Sequence, residues 1–145
     1  MINKDVFITI RSSQNVDGTE QEGMELVTLG DYQYAKDGAR FSYMESELTG
    51  LNGTRTVVVI KPDEVVLQRR GAAYYQMVFH PGVSSNFLFQ TEFGMVEMGL
   101  DTRRLKCDLG EHGGSMEIEY DLDIQKNFLS RNRFRIDVKE RGLNA

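Results

Sequence analysis

Residues 115–125 read SMEIEYDLDIQ. Met116, Ile118, Tyr120, Leu122 and Ile124 fall on one side of an extended chain, and Glu117, Glu119, Asp121, Asp123 and Gln125 fall on the other. A period of two with one apolar and one charged face describes a half-buried strand. Wound as a helix, the same residues would scatter both kinds around the whole circumference. Residues 132–140, NRFRIDVKE, repeat the pattern, with Phe134, Ile136 and Val138 inward and Arg133, Arg135, Asp137 and Lys139 outward. An acidic outer row followed by a mostly basic one predicts that the two strands pair antiparallel, because opposite charges across a pair attract. Two registers match the charges comparably.

Toward the N-terminus the same reading yields VFITIRS, MELVTLGDYQY, ARFSYMESE, RTVVVIK, EVVLQRR, YYQMVFH, NFLFQTE and MVEMGLDT. LKCDL, after Thr102, either continues the strand before it or forms a short one of its own. Turn residues separate these runs. Asp17-Gly18, Asp37-Gly38 and Asn52-Gly53 are hairpin dipeptides, Pro62-Asp63 presets a turn, and Pro81-Gly82, Gly94 and Gly113-Gly114 break the chain again. The expectation is an all-β fold of roughly ten short antiparallel strands, with no helix. Short connections favour an up-and-down meander, and a sheet this long tends to close into a barrel because closure removes its edges. No linker, repeat or low-complexity stretch divides residues 1–145, so one domain is expected.

The bulk composition restricts the partners. With 40% hydrophobic and 27% charged residues the chain has the make-up of a globular domain. Its net charge of −5 argues against binding nucleic acid or an anionic membrane through bulk electrostatics. No run approaches the ~20 apolar residues of a membrane helix. The opening MINKDVFITIRSS has neither a long apolar core nor a small-residue cleavage site, so no signal peptide is expected. Cys107 is the single cysteine, which excludes an intrachain disulfide and suggests the reducing cytoplasm.

Several of these short motifs, in this order and spacing, resemble the YwiB-like family of small bacterial proteins. They are GDYQY (30–34), YMESELTG (43–50), LQRRG (67–71), MVF (77–79), TEFG (91–94) and LDT (100–102). The resemblance spans nearly the whole chain. It implies a β-barrel of lipocalin (calycin) type and a bacterial, cytoplasmic setting. It implies no reaction and no catalytic residue, since fold alone does not transfer function.

Two strands end unexpectedly. In EVVLQRRG (64–71) Arg69 falls on the face of Val65 and Leu67, and in FSYMESE (41–47) Glu45 falls on the face of Phe41 and Tyr43. Thr91 and Thr102 lie on other inward faces. An apolar interior with a few convergent polar groups is the usual form of a small-molecule site. Tyr43, Glu45, Arg69, Thr91 and Thr102 are therefore the candidate ligand-binding residues. Two readings of the charges stay open. Arg69 and Glu45 form a structural pair or reach water at the barrel mouth; or Arg69 anchors an anionic ligand group, with Tyr43 and Glu45 orienting it.

The remaining candidates read as structure. His80 precedes Pro81-Gly82 and His112 sits in GEHGG, both turn positions, and with Cys107 they give no metal-ligand spacing. GEHGG lacks the lysine and helix of a phosphate-binding loop. Met95 and Met98 are expected in the core. Arg131, Arg133 and Arg135 lie opposite Phe134, the ordinary pattern of a strand and not that of a nucleic-acid surface. No cofactor or metal is expected. The function that fits best is a noncatalytic intracellular barrel binding a small, partly apolar ligand. The alternative is a protein-interaction module with a filled barrel, acting through its outer surface or as a homodimer. An enzyme ranks third, because no nucleophile–base pair is apparent.

Overall fold

The computed structural model describes residues 3–16, 18–45, 53–71 and 74–142, without the side chains of Glu22 and Thr91. The expected hairpin dipeptides Asp17-Gly18 and Asn52-Gly53 each have their first residue outside that set, as do Ser46–Gly50 of the YMESELTG motif. Ten strands follow in order: β1 (Asn3–Val16), β2 (Thr19–Ala35), β3 (Gly38–Met44), β4 (Arg55–Ile60), β5 (Val65–Arg70), β6 (Tyr74–Phe79), β7 (Ser84–Thr91), β8 (Gly94–Gly110), β9 (Gly113–Ile124) and β10 (Asn127–Glu140). LKCDL is part of β8 and not a separate strand.

Every ladder is antiparallel, and the sheet runs β6-β5-β4-β3-β2-β1-β10-β9-β8-β7. Each neighbour but one is also the next strand in the chain, which makes the fold an up-and-down meander. The exception is β1 with β10, paired in register from Val6↔Glu140 to Asn15↔Arg131. The hydrogen-bonded wall therefore closes where the two ends of the chain meet. The remaining seam lies between β6 and β7, which are consecutive. There the wall is continued by side chains: Ser85 Oγ donates to the Val78 carbonyl at 2.9 Å, and the Tyr75 ring packs on Phe87 and Phe89 at centroid distances of 6.0 and 5.3 Å. The result is a nearly closed barrel.

The core sits inside it. Val6, Ile8, Phe41, Val58, Phe79 and Ile118 are fully buried, and Phe79, Tyr120 and Phe134 pack edge to face at one place in the interior. Met98 is buried as expected, but Met95 is 55% exposed, because its partner Gln90 puts it on the outer face of β8. On the outside of β9 and β10 the register is Glu117↔Arg135, Glu119↔Arg133 and Asp121↔Arg131. Arg135 reaches Glu117 at 3.0 Å and Arg131 reaches Asp121 at 2.9 Å, with Arg103 joining Asp121 at 3.3 Å. The acidic row is thus a charge ladder matched to basic neighbours. Exposed pairs of this kind add little to stability and mainly fix register.

Three irregularities shape the barrel. Bulges shift the register between Ser12 and Gln14, between Thr102 and Arg104, and between Phe128 and Ser130. At the second, Arg103 is the extra residue, so the inward set passes from Leu100 and Thr102 to Leu105, changing parity. The β8–β9 turn needs its glycines: Gly114 has φ 142°, and a Cβ there would lie 2.0 Å from the Asp108 carbonyl oxygen. The β9–β10 turn uses none. Gln125 and Lys126 have φ values of 52° and 66°, and Asp123 accepts the Lys126 N–H at 3.1 Å. Two successive positive φ angles are the geometry that joins twisted strands tightly, and a side chain there costs ~1 kcal/mol. Lys126→Gly should raise stability by roughly 0.5–1 kcal/mol, seen as a higher urea midpoint at unchanged slope. An unchanged or lower midpoint would show that the turn is unstrained.

Candidate functional site

Four strands place a polar row across the interior. Tyr43 on β3 is opposite Thr56 on β4, Thr56 is opposite Arg69 on β5, and Arg69 is opposite Tyr75 on β6. All four side chains face inward at one level because the local sequences alternate in step: Phe41 precedes Tyr43, Val58 follows Thr56, Leu67 precedes Arg69 and Met77 follows Tyr75. Glu45 joins them from just beyond β3, where its N–H donates to the Thr54 carbonyl at 2.8 Å and extends the pairing.

Within the row, Thr56 Oγ1 donates to Glu45 Oε1 at 2.7 Å. Arg69 Nη1 donates to the Tyr75 hydroxyl, and the guanidinium lies over the Tyr75 ring at 5.6 Å. Arg69 Nε stands 3.8 Å from Glu45 Oε1, close enough for charge attraction and too far for a hydrogen bond. The Glu45 side chain is 2% exposed and that of Arg69 is 24% exposed. Burial works against the Arg69 charge, and Tyr75, Tyr43 and Glu45 more than offset it. Burial, with the Glu45 charge beside it, pushes the Tyr43 hydroxyl far above the ordinary phenol range, and burial pushes Tyr120 up to about 12. Both hydroxyls therefore remain neutral donors at physiological pH.

Tyr43 and Arg69 from the row, together with Glu45, border a cavity of about 400 Å³. Its apolar part includes Leu26, Leu67, Met77, Phe79, Phe134 and Ile136. Toward the mouth the lining turns polar, with Ser12, Gln14, Gln21 and Asn132, and the exposed side chains of Met24 and Arg133 edge the opening. The gradient follows from β1, β2 and β10 running past the level at which β3 and β5 end.

The structure brings together Tyr43, Glu45 and Arg69, as their strand faces predict. Thr102 is buried but does not line the cavity; its hydroxyl accepts the His80 N–H at 3.1 Å near the seam. Thr91 ends β7 opposite Gly94, and its side chain lies outside the described residues. His80 sits at the β6–β7 turn beside Asp63, and His112 is exposed beside Glu140. Sequence reasoning missed Thr56 and Tyr75. Their signal was present: Thr56 alternates with Val58 and Ile60, and Tyr75 with Met77 and Phe79.

Residues 8–136 match the family model described as a domain of unknown function, DUF1934. The uncharacterized beta-barrel protein YwiB of Bacillus subtilis (strain 168) is 30% identical over 119 residues, 82% of each chain. The crystal structure of the ywiB protein from Bacillus subtilis superposes with a TM-score of 0.83 over 96% of this chain and 93% of that one, at 24% identity.

Losing the Arg69 charge would leave Glu45 buried beside no cation. Arg69→Met should cost ~3 kcal/mol, and adding Glu45→Gln to it should recover a large part, read by urea denaturation as a double-mutant cycle. Additive costs would mean that the two charges do not act as a pair.

Proposed function

The chain belongs to the DUF1934 family, and from that premise we propose that its barrel is a noncatalytic, intracellular binder of one small, partly apolar molecule held in the interior. The observation that carries this reading is the cavity, where apolar walls meet polar groups converging at a single level. Its volume is in the range of small-molecule sites, about 300–1,000 Å³. Small barrels hold either packed side chains or one small ligand, and the cavity favours the second. Among the described lining residues Glu45 is the one carboxylate, and no histidine or cysteine accompanies it. Tyr43 and Tyr120 also line the cavity, but burial holds their protons in place, so the set suits recognition better than proton transfer. The exposed free thiol of Cys107 fits a reducing compartment.

Native mass spectrometry of protein purified gently from a bacterial cytoplasm tests the reading. The expected spectrum carries an adduct that leaves on denaturation and is absent from Met24→Trp, which narrows the mouth at a tolerant, partly exposed position. A bare chain mass in the native spectrum would overturn the proposal.

A second reading, contact between two copies, has its own observation. Phe7, Val27 and Leu29 are 41%, 58% and 50% exposed on the outer face of β1 and β2, where Phe7 is opposite Leu29. Arg11 and Glu25 lie along the same face, and Lys139 is paired beside Phe7. A rim of mixed sign suits a second copy turned two-fold better than a partner of one charge. Sedimentation should then show a dimer that Leu29→Lys dissociates; a monomer at high concentration would dismiss this contact.

A further inference from the structure

Three adjacent strands of the cavity wall change character at one height. On the inward face of β1, Ile8 and Ile10 are followed by Ser12 and Gln14. Beside them on β10, Val138 and Ile136 give way to Phe134 and then Asn132. On the other side β2 passes from Leu26 through Met24 to Gln21, which the bulge opposite Ser12 and Gln14 returns to the inward face. Gln14 is paired with both Gln21 and Asn132, and Asn132 with Tyr120, so three amides and a phenol form one row across four strands. All four line the cavity on the side of its mouth. The row is open. Gln14 and Gln21 are exposed, and among the described residues their side chains make no hydrogen bond. Asn132 uses only Nδ2, which donates to Ser130 Oγ at 3.0 Å and leaves its carbonyl oxygen unengaged. The Tyr120 hydroxyl likewise has no partner among the described residues.

The row is also uncharged, and proximity to water does not explain that. The outer faces of the same stretches carry Glu20, Arg131 and Arg133, so wetted positions here accept charge readily. Nor does the interior offer an unbalanced charge to an ionic head. Arg69 has Glu45 at 3.8 Å, and Arg133 at the rim has Glu119 at 3.9 Å. An ion held at the row would lose hydration without gaining a counter-charge. Hydroxyl groups suit it, because each amide both donates and accepts, as a hydroxyl does. Strand spacing sets the step of the row at about 4.8 Å, too wide for one hydroxyl to bridge. A sugar ring, with hydroxyls all around it, reaches two or three such groups at once. Below the row lies only apolar wall, at Ile10, Leu26, Phe134 and Ile136. Resting on the interior site proposed above, we infer that the ligand is a neutral glycoside, its apolar aglycone in the chamber and its sugar on Gln14, Gln21 and Asn132.

Isothermal titration of the full chain with four probes sharing one eight-carbon tail tests this: octyl β-glucoside, octan-1-ol, octanoate and octylammonium, each below its micelle concentration. The glucoside should bind at least about tenfold more tightly than the other three, the factor that two net hydrogen bonds supply. That comparison uses the unaltered protein and so does not depend on a variant folding. In the double variant Gln14→Met, Gln21→Met the glucoside should fall to the level of octanol, while octanol itself binds as before. If octanoate or octylammonium bound best, the head would be ionic, and the glycoside inference would fail while interior binding stood. Equal binding of all four, or a glucoside affinity unmoved in the double variant, would also overturn it. Failure of every probe, octanol included, would sink the interior-binding reading itself.

Discussion

The barrel depends on a ladder between its two ends. β1 and β10 come from opposite termini, and their antiparallel pairing makes one continuous wall of two meanders. Without it, β1 and β10 would each present a long edge, and the sheet could not curl far enough to enclose anything. Val6, Ile8 and Ile10 from one strand and Ile136 and Val138 from the other lie against that junction and turn inward. The hydrophobic gain from burying them is available only when the ends have met. Closure and core formation are thus a single event, with the outer charges acting chiefly to select register.

The polar row is a by-product of the same geometry. Once neighbouring strands are locked in register, residues at one height are brought into line whatever their distance in sequence. Tyr43, Thr56, Arg69 and Tyr75 share such a height, near where β3 and β5 finish and the interior begins to open. That location reconciles burial with charge. Glu45 is enclosed and held by Thr56, while Arg69 keeps a partial path to water and rests on Tyr75. Tyr75 in turn packs across the seam, so the site and the weakest part of the wall share a residue.

Much of this was legible in the sequence because alternation is a strong signal where one face is buried. The facing of Phe41, Val58, Leu67, Met77, Ile118 and Ile136 follows directly from it, and so does the meeting of Glu45 with Arg69. The sequence was silent where the physics was not periodic. Gln125-Lys126 makes a hairpin turn with neither glycine nor asparagine, so the start of β10 at Asn127 carried no mark. The bulge at Arg103 changes parity within a strand, which is why LKCDL was ambiguous. Register between β9 and β10 needed three-dimensional pairing to choose between similar charge matches. Thr102 faced inward as expected, yet its hydroxyl is taken by a backbone N–H of another strand, a contact that no local pattern encodes.

The position of the seam carries a topological consequence. Nature has left unladdered the one junction, β6 to β7, whose strands are joined by a short turn at His80–Val83, and has laddered the junction that demands the longest loop closure. The outer ends of β1 and β10 are already neighbours, since the Arg141 N–H donates to the Asp5 carbonyl at 2.9 Å. A circular permutant cut at Pro81-Gly82, with its old ends joined, would read β7 to β10 and then β1 to β6. In that chain every ladder is a hairpin, and no pairing spans the molecule. Its contact order would be far lower for the same barrel, and the entropy of bringing distant ends together would leave the folding barrier. The natural connectivity instead makes the enclosed interior one of the last things the chain can complete.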